Sequence, residues 1–194
     1  MAMIQNPMIL GKRLYLRPLE PDQDAALLAN WASHEEMRQY FNVYPMSTNT
    51  YKERIAHLYK DVTHVLLGVA QKEEPGLCGI VGLKAISQLH RSAEFYIKID
   101  RAFQGRGYGT EATILMLRYG FIDLNLNRIQ TQDVEENVPG WKVDEKVGFQ
   151  LEGIAREAFF RSGEAIDVRI YSLLRRDYLQ LVKQSPLYAV CGGV

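Results

Sequence analysis

Cysteine is nearly missing from this chain: 2 in 194 residues, Cys78 and Cys191. That is too few for a disulfide framework and points to a reducing compartment. Charge of one sign is missing too, since 23 Lys and Arg balance 23 Asp and Glu. A protein built to grip a phosphate backbone carries a basic excess, so nucleic acid is not an expected partner. Nor does any global field draw the chain to an anionic membrane. Long apolar runs are lacking as well: the best, residues 113–117, stops at Arg118, far short of the ~18 residues a membrane span needs. The first ten residues carry no basic leader and are interrupted by Gln5, Asn6 and Pro7, so no export signal is expected. At the other end, Cys191-Gly192-Gly193-Val194 has glycines where a prenylation box needs aliphatic residues. The histidines His34, His57, His64 and His90 show no metal-ligand spacing and no Cys-x-x-Cys occurs, so no metal is expected.

What is present is an ordinary globular balance, 47% hydrophobic and 24% charged. A single cytoplasmic domain over residues 1–194 is expected, with a core over 13–178 and a tail that frays from residue 184. Residues 13–17 alternate, with Leu14 and Leu16 on one face and charge on the other, which reads as a strand. Pro18 and Pro21 end it, and Asp22 is placed to cap a helix carried by Ala25, Leu27, Leu28 and Trp31. A second helix is expected over 48–59. The apolar runs 63–70 and 77–86, separated by a charged turn, read as paired strands. A third strand follows at 93–99, where Phe95, Ile97 and Ile99 alternate with Glu94, Tyr96 and Lys98. After a glycine cluster come a helix over 110–122, a strand over 128–134 and a short helix over 139–147. A hairpin of strands 149–160 and 165–174 closes the pattern, with Gly163 supplying positive φ in its turn. Together these predict an α/β fold, a mixed sheet of about seven strands with helices on both faces.

The segment from Gln104 to Thr110 carries the chemistry. A strand runs into Gln104-Gly105-Arg106-Gly107-Tyr108-Gly109-Thr110, and that turn opens a helix. The first amides of a helix lack partners within it and point outward with about half a positive charge from the aligned peptide dipoles. Gly105, Gly107 and Gly109 have no Cβ to keep a phosphate away, and Arg106 adds charge at the rim. No Gly-Lys-Ser/Thr stands here, so a P-loop is excluded, and the glycine interval differs from the dinucleotide fingerprint. Taken alone, the three glycines fit either a tight connection or an anion site.

The spacing Gln104-x-x-Gly107-x-Gly109 resembles the signature of GNAT-type N-acetyltransferases. Ala93-Glu94-Phe95 resembles the start of that family's fourth strand, and Asn137 with Lys146-Val147-Gly148-Phe149 its Asn…Lys-x-Gly-Phe element. Leu16-Arg17-Pro18-Leu19, the hairpin 158–164 and Arg175-Arg176-Asp177-Tyr178 resemble the branch of ribosomal-protein alanine and spermidine acetyltransferases. The resemblance covers residues 13–178.

The resemblance implies a centrally splayed sheet and acetyl-CoA as cosubstrate. Its pyrophosphate would rest on Gln104, Gly105, Arg106, Gly107, Tyr108, Gly109 and Thr110. The pantetheine arm would pair with the backbone of Ile97, Lys98 and Ile99 and touch Asn137. A primary amine, either a small molecule or a protein N-terminus, would attack the thioester directly, and the chain could pair as a homodimer. Glu94 is the candidate base; an exposed carboxylate is a poor one for an ammonium, so the role needs burial, and the bland alternative is an ion pair with a neighbouring Lys or Arg. Asp144 stands where many relatives have a tyrosine that protonates the leaving thiolate. It reads, in falling order, as a solvated helix residue, an orienting group for the arm, or a perturbed acid. Gly140 occupies a position usually filled by a small hydroxyl residue. The missing tyrosine keeps open a second reading, a non-catalytic acyl-CoA sensor. Trp31, Tyr40, Phe41 and Tyr44 fall where the family builds its acceptor wall, with core packing as the alternative, and Glu35 and Glu36 read as a solvated face. No acidic pair follows Phe41, which weakens a polyamine acceptor.

Overall fold

The structure, a computed structural model, describes residues 6–35, 45–74 and 76–191. Tyr40, Phe41, Tyr44 and Glu36 of the expected acceptor region lie outside them. The strands are β1 (Ile9–Leu10), β2 (Leu14–Pro18), β3 (Val65–Gln71), β4 (Leu77–Ser87), β5 (Ser92–Ile99), β6 (Arg128–Val134), β7 (Gln150–Arg161) and β8 (Glu164–Leu174). The helices are α1 (Pro21–Ser33), α2 (Thr48–Leu58), α3 (Tyr108–Arg118), α4 (Val138–Lys146) and α5 (Arg175–Gln184). One sheet of eight strands runs in the order β1-β2-β3-β4-β5-β6-β8-β7. The strand beyond the seven expected is the two-residue β1, paired antiparallel to β2 at the edge.

Every neighbouring pair is antiparallel except β5 and β6. Their parallel pairing lasts three rungs, Ser92↔Arg128, Ala93↔Ile129 and Glu94↔Gln130. Beyond Glu94, β5 stays with β4 as far as Ile99↔Gly79, and β6 stays with β8 as far as Val134↔Val168. The sheet therefore opens into a V between residues 95–99 and 131–134. Backbone N–H and C=O groups on those two edges have no facing strand, and such groups want a partner.

Two cores sandwich the sheet. On one face lie α3 and α5; Ile114, Leu115, Met116 and Leu117 are fully buried there with Phe95, Phe121 and Tyr171. A helix apolar on nearly all sides belongs inside, and α3 runs under the sheet accordingly. On the other face α1 and α2 pack Leu28, Trp31, Tyr51 and Ile55 against Tyr15 and Leu77. The expected helices on both faces are present.

Several local expectations need correction. The polar face of β2 is not solvated: Arg17 is buried and grips Asp24 with two bonds of 2.8 Å, because α1 lies across that face. Breaking such a buried pair costs about 3–5 kcal/mol, since it leaves the other charge stranded. Asp22 does not cap α1; Glu20 is the N-cap and its amide donates to Asp24 in the first turn. The helix expected over 110–122 starts two residues earlier at Tyr108 and gives way to a π-helical turn over Tyr119–Asp123. In the β7–β8 turn both Ser162 (φ 53°) and Gly163 (φ 87°) are left-handed, as a two-residue type I′ hairpin requires. The tail does not fray over 186–191: Tyr188 is buried against Tyr178, and its hydroxyl donates to the Val147 carbonyl at 2.6 Å.

Candidate active site

At the wide end of the V, β5 hands over to the glycine turn. Asp100 Oδ1 caps a 3-10 turn (Arg101–Phe103) by accepting the Ala102 amide, and its Oδ2 accepts the Trp31 indole N–H at 2.6 Å. Gly105 (φ 73°) and Gly107 (φ 78°) are left-handed, a conformation side chains resist. Gly107 is the N-cap of α3, and the first helical bond runs from Glu111 N to Gly107 O at 3.2 Å. Among the described residues, no acceptor is bonded to the amides of residues 105–110. These amides form a positively polarised cup, open above Gly105, where a Cβ would meet nothing within 4 Å.

The cup is braced from beneath. Glu111, buried in the first turn of α3, accepts the amides of Arg13 and Leu14 at 2.7 and 3.0 Å and the Arg13 Nε at 2.9 Å. Arg13 in turn donates to the Arg106 carbonyl at 2.8 Å and lies over the Tyr108 ring. Hydrogen bonds to an ionised group contribute about 1.5–3 kcal/mol each, so this carboxylate fixes the start of α3 to β2. Two expected ligands serve the turn itself: the Gln104 side-chain amide donates to the Ile99 carbonyl, and the Tyr108 hydroxyl to Gln71 Oε1, both at 2.9 Å. Thr110 is buried at the start of α3, while Arg106 and Gly109 stand at its rim.

On the α1–α2 face of β5, Tyr96, Lys98 and Lys84 of β4 line a cavity of about 290 Å³ with Trp31, Tyr51 and Arg54. Burial pulls the Lys98 ammonium down to about 8. His64 Nε2 and the Tyr96 hydroxyl are 2.6 Å apart, and burial holds His64 below its ordinary value, so a neutral ring faces the cavity. Glu94, on the same face, is paired with Lys84 at 2.6 Å, the bland alternative named for it. Cys78 is no acyl carrier: burial pushes its thiol up to about 12, and the S–H points to the Val69 carbonyl.

The opposite wall is made by β6 and α4. Asp144 is not a solvated helix residue; it is 4% exposed, buried in α4. Burial first, and the Asp133 carboxylate second, push the Asp144 carboxyl up to about 10. Asp133 is also raised by burial, but hydrogen bonds from Asp144 and Asn137 favour its ionised form. Asn137 Nδ2 donates to Asp133 Oδ1 at 2.7 Å, so this amide nitrogen is engaged inside the protein.

A sheet opened between two parallel strands, with an anion cup at the mouth, defines a coenzyme A-dependent acyltransferase fold. The Acetyltransferase (GNAT) domain family matches residues 13–150, and the chain belongs to that family. The protein p20 of Bacillus licheniformis, named an uncharacterized N-acetyltransferase, is 33% identical over 173 residues, 86% of this chain and 96% of p20. Spermidine N(1)-acetyltransferase of Vibrio cholerae is 30% identical over 172 residues, 88% of this chain and 98% of that protein. The crystal structure of spermidine N-acetyltransferase from Vibrio cholerae in complex with CoA and spermine matches with a TM-score of 0.80 at 31% identity, covering 86% of this chain and 98% of that one.

Of the expected residues, Glu94 is on the last β5–β6 rung, Ile97, Lys98 and Ile99 lie on the length of β5 beyond it, the glycine turn leads into α3, and Asn137 and Asp144 are the N-cap and a buried residue of α4. Sequence reasoning missed Asp133, Tyr96, His64 and Arg54. The alternation of β5 already put Tyr96 beside Glu94 and Lys98. Nothing in the spacing joined Asp133 to Asp144.

Proposed function

We propose that this chain moves the acetyl group of acetyl-CoA to a small primary amine by direct attack in a ternary complex. The carrying observation is the pairing of an open β5 edge with unclaimed amides over residues 105–110 at its end. In this reading the amides and Arg106 take the pyrophosphate, and the backbone of Ile97, Lys98 and Ile99 pairs with the pantetheine arm. Asn137, one of whose amide N–H groups is held by Asp133, offers its second N–H and its carbonyl to the arm. Glu94 accepts the amine's proton and Asp144 donates one to the departing sulfur.

The amine enters from the cavity beside Trp31, Tyr51 and Tyr96. The Vibrio cholerae relative was crystallised with spermine, a polycation. In this chain Arg54, Lys84 and Lys98 line the cavity, and among its described lining residues none is acidic. An amine with an apolar body therefore fits better than a polyamine, and a protein N-terminus has to bring such a residue with it. Coenzyme A chemistry and a free, buried Cys78 fit a cytoplasmic location. Homodimerisation is supported by the exposed apolar Leu151, Ile154 and Phe160 on the outer strand β7, and sedimentation velocity tests it.

Thiol release from acetyl-CoA, measured with tyramine, spermidine and an alanine-led peptide, tests the reading. Calorimetry of acetyl-CoA alone measures binding. Release with tyramine above spermidine is expected. Binding without release on any amine indicates the sensor, and no binding overturns both.

A further inference from the structure

We propose that the acceptor carries a carboxylate beside its amine, as an amino acid with an aromatic or apolar side chain does, and that Arg54 of α2 receives the carboxylate. This rests on the acetyl-transfer reading and deepens it by naming the acceptor's class.

The cavity beside β5 has cations on two facing walls and aromatic rings between them. Tyr51, Arg54, Ile55 and Leu58 recur at i, i+3, i+4 and i+7, and this one face of α2 forms a wall. The sheet forms the other, with Lys84 of β4 and Lys98 of β5 in it. Tyr96 and Lys98 lie on the length of β5 past the last rung with β6, so this wall reaches the open strand edge. Trp31 comes in from α1, its indole N–H fixed by Asp100 Oδ2 at 2.6 Å. A volume of about 290 Å³ holds about ten non-hydrogen atoms at the ~30 Å³ that a molecule of liquid water takes. That is the size of an aromatic side chain with its α-carbon and amine, which leaves a carboxylate at the rim.

The acids around the cavity are committed elsewhere. Glu94 is paired with Lys84 at 2.6 Å. Asp100 holds the Trp31 indole and the Ala102 amide. Asp61 lines the neighbouring groove and accepts the amide and hydroxyl of Thr63 at 2.9 and 2.6 Å. His64 and Tyr96 bond each other at 2.6 Å with their rings edge to face, and burial keeps both uncharged. Arg54 differs from all of these. Among the described residues it makes no ion pair, and its Nη1 donates to the Met46 thioether sulfur at 3.9 Å, a weak acceptor. Lys98 adds to the same polarity: burial pulls its ammonium down to about 8, and a carboxylate in the cavity would offset that cost.

These features sort the candidate amines. A polyamine brings further positive charge toward Arg54, Lys84 and Lys98, and like charges repel. A plain aromatic amine fills the apolar space but leaves the guanidinium to water. An amino acid satisfies both demands, with its ring against Trp31 and Tyr51 and its amine toward the β5 edge. Its carboxylate then meets the planar fork of Arg54, which can hold two oxygens at once. Because Arg54 is exposed, water and salt weaken that bond. The expected gain is therefore about tenfold, the lower end of what a hydrogen bond to a charged group contributes.

The test compares L-tyrosine, tyrosinamide and tyramine, probes with the same ring and amine that differ at the carboxyl position. Coenzyme A release is measured with wild type, Arg54→Ala, Arg54→Lys and Arg54→Glu, and circular dichroism checks each fold. In wild type, kcat/KM for tyrosine is expected to be about tenfold above that for either other probe. Tyrosinamide keeps the bulk of the carboxyl group without its charge, so a preference for tyrosine over it reads charge and not size. Arg54→Ala is expected to abolish the preference, Arg54→Lys to keep part of it, and Arg54→Glu to reverse it in favour of tyramine. Tyrosine no better than tyrosinamide in wild type, or a preference undiminished in Arg54→Ala, overturns the carboxylate proposal and leaves acetyl transfer standing. No release with any of the three amines or with spermidine overturns the acetyl-transfer reading and this proposal with it.

Discussion

The two walls of the cleft handle charge in different ways. The β5 wall and its glycine turn work through backbone: unclaimed amides at the start of α3 and an open strand edge give positive polarity without an ionisable group. The β6–α4 wall is built of side chains, and burial raises the proton affinity of its two carboxyl groups, Asp133 and Asp144. Backbone dipoles keep their strength at any pH. A carboxyl group changes its charge with pH, and burial decides where. The first wall suits a permanent anion such as a diphosphate. The second suits a charge that exists only while the C–S bond breaks.

The largest expected effect removes the backbone wall. Gly107→Val forces a branched side chain into φ 78° at the N-cap of α3, a strained setting for any residue but glycine. It is expected to cost over ~10²-fold in acetyl-CoA affinity by calorimetry, since each displaced amide contact to an anion contributes about 1.5–3 kcal/mol. If affinity holds, the cup is only a tight connection.

Glu94→Gln asks whether the β5 wall also uses a side chain. Its neutral amide cannot accept the amine's proton, so kcat is expected to fall by up to ~10²-fold with acetyl-CoA binding spared. Unchanged turnover would leave Glu94 as the partner of Lys84 and the wall as a backbone device alone.

Stability against pH sharpens the contrast further. The folded state holds the Asp144 proton up to about 10, whereas an unfolded aspartate releases it near ~3.9. Between those values the native chain binds more protons than the unfolded one, so this group's stabilisation is complete below ~3.9 and is lost as pH rises toward 10. From pH 5 to pH 8, Asp144→Asn should therefore gain stability relative to wild type in calorimetric unfolding. A constant difference across that range would argue against a buried proton. The smallest effect lies at the periphery: Tyr188→Phe loses the bond to the Val147 carbonyl and should cost ~1 kcal/mol, read as a drop of a few degrees in Tm.

The same contrast governs what could be read from the amino-acid order. Where backbone geometry does the chemistry, the residues announce it: positive φ favours glycine, and Gly105 and Gly107 stand where two left-handed positions fall. Alternation in β5 likewise separated Phe95, on the α3 core, from Tyr96 and Lys98, on the cavity. Where chemistry depends on burial, nothing local declares it. Asp144 reads first as a solvated helix residue, and only the fold shows that it is buried. Arg17 looks like a solvated alternation partner until α1 lays Asp24 over it. Tyr188 looks like tail until its ring meets Tyr178.

That last contact reaches the cleft. Val147, whose carbonyl Tyr188 holds, is three residues past Asp144, and the Phe149 amide closes back on the Asp144 carbonyl at 3.0 Å. Residues 186–191 therefore act as a buttress for the helix that carries the acid. Shortening the protein before Tyr188, or crowding that spot with a fusion partner, should register as a changed affinity for a proton in the reaction centre as well as a less stable end.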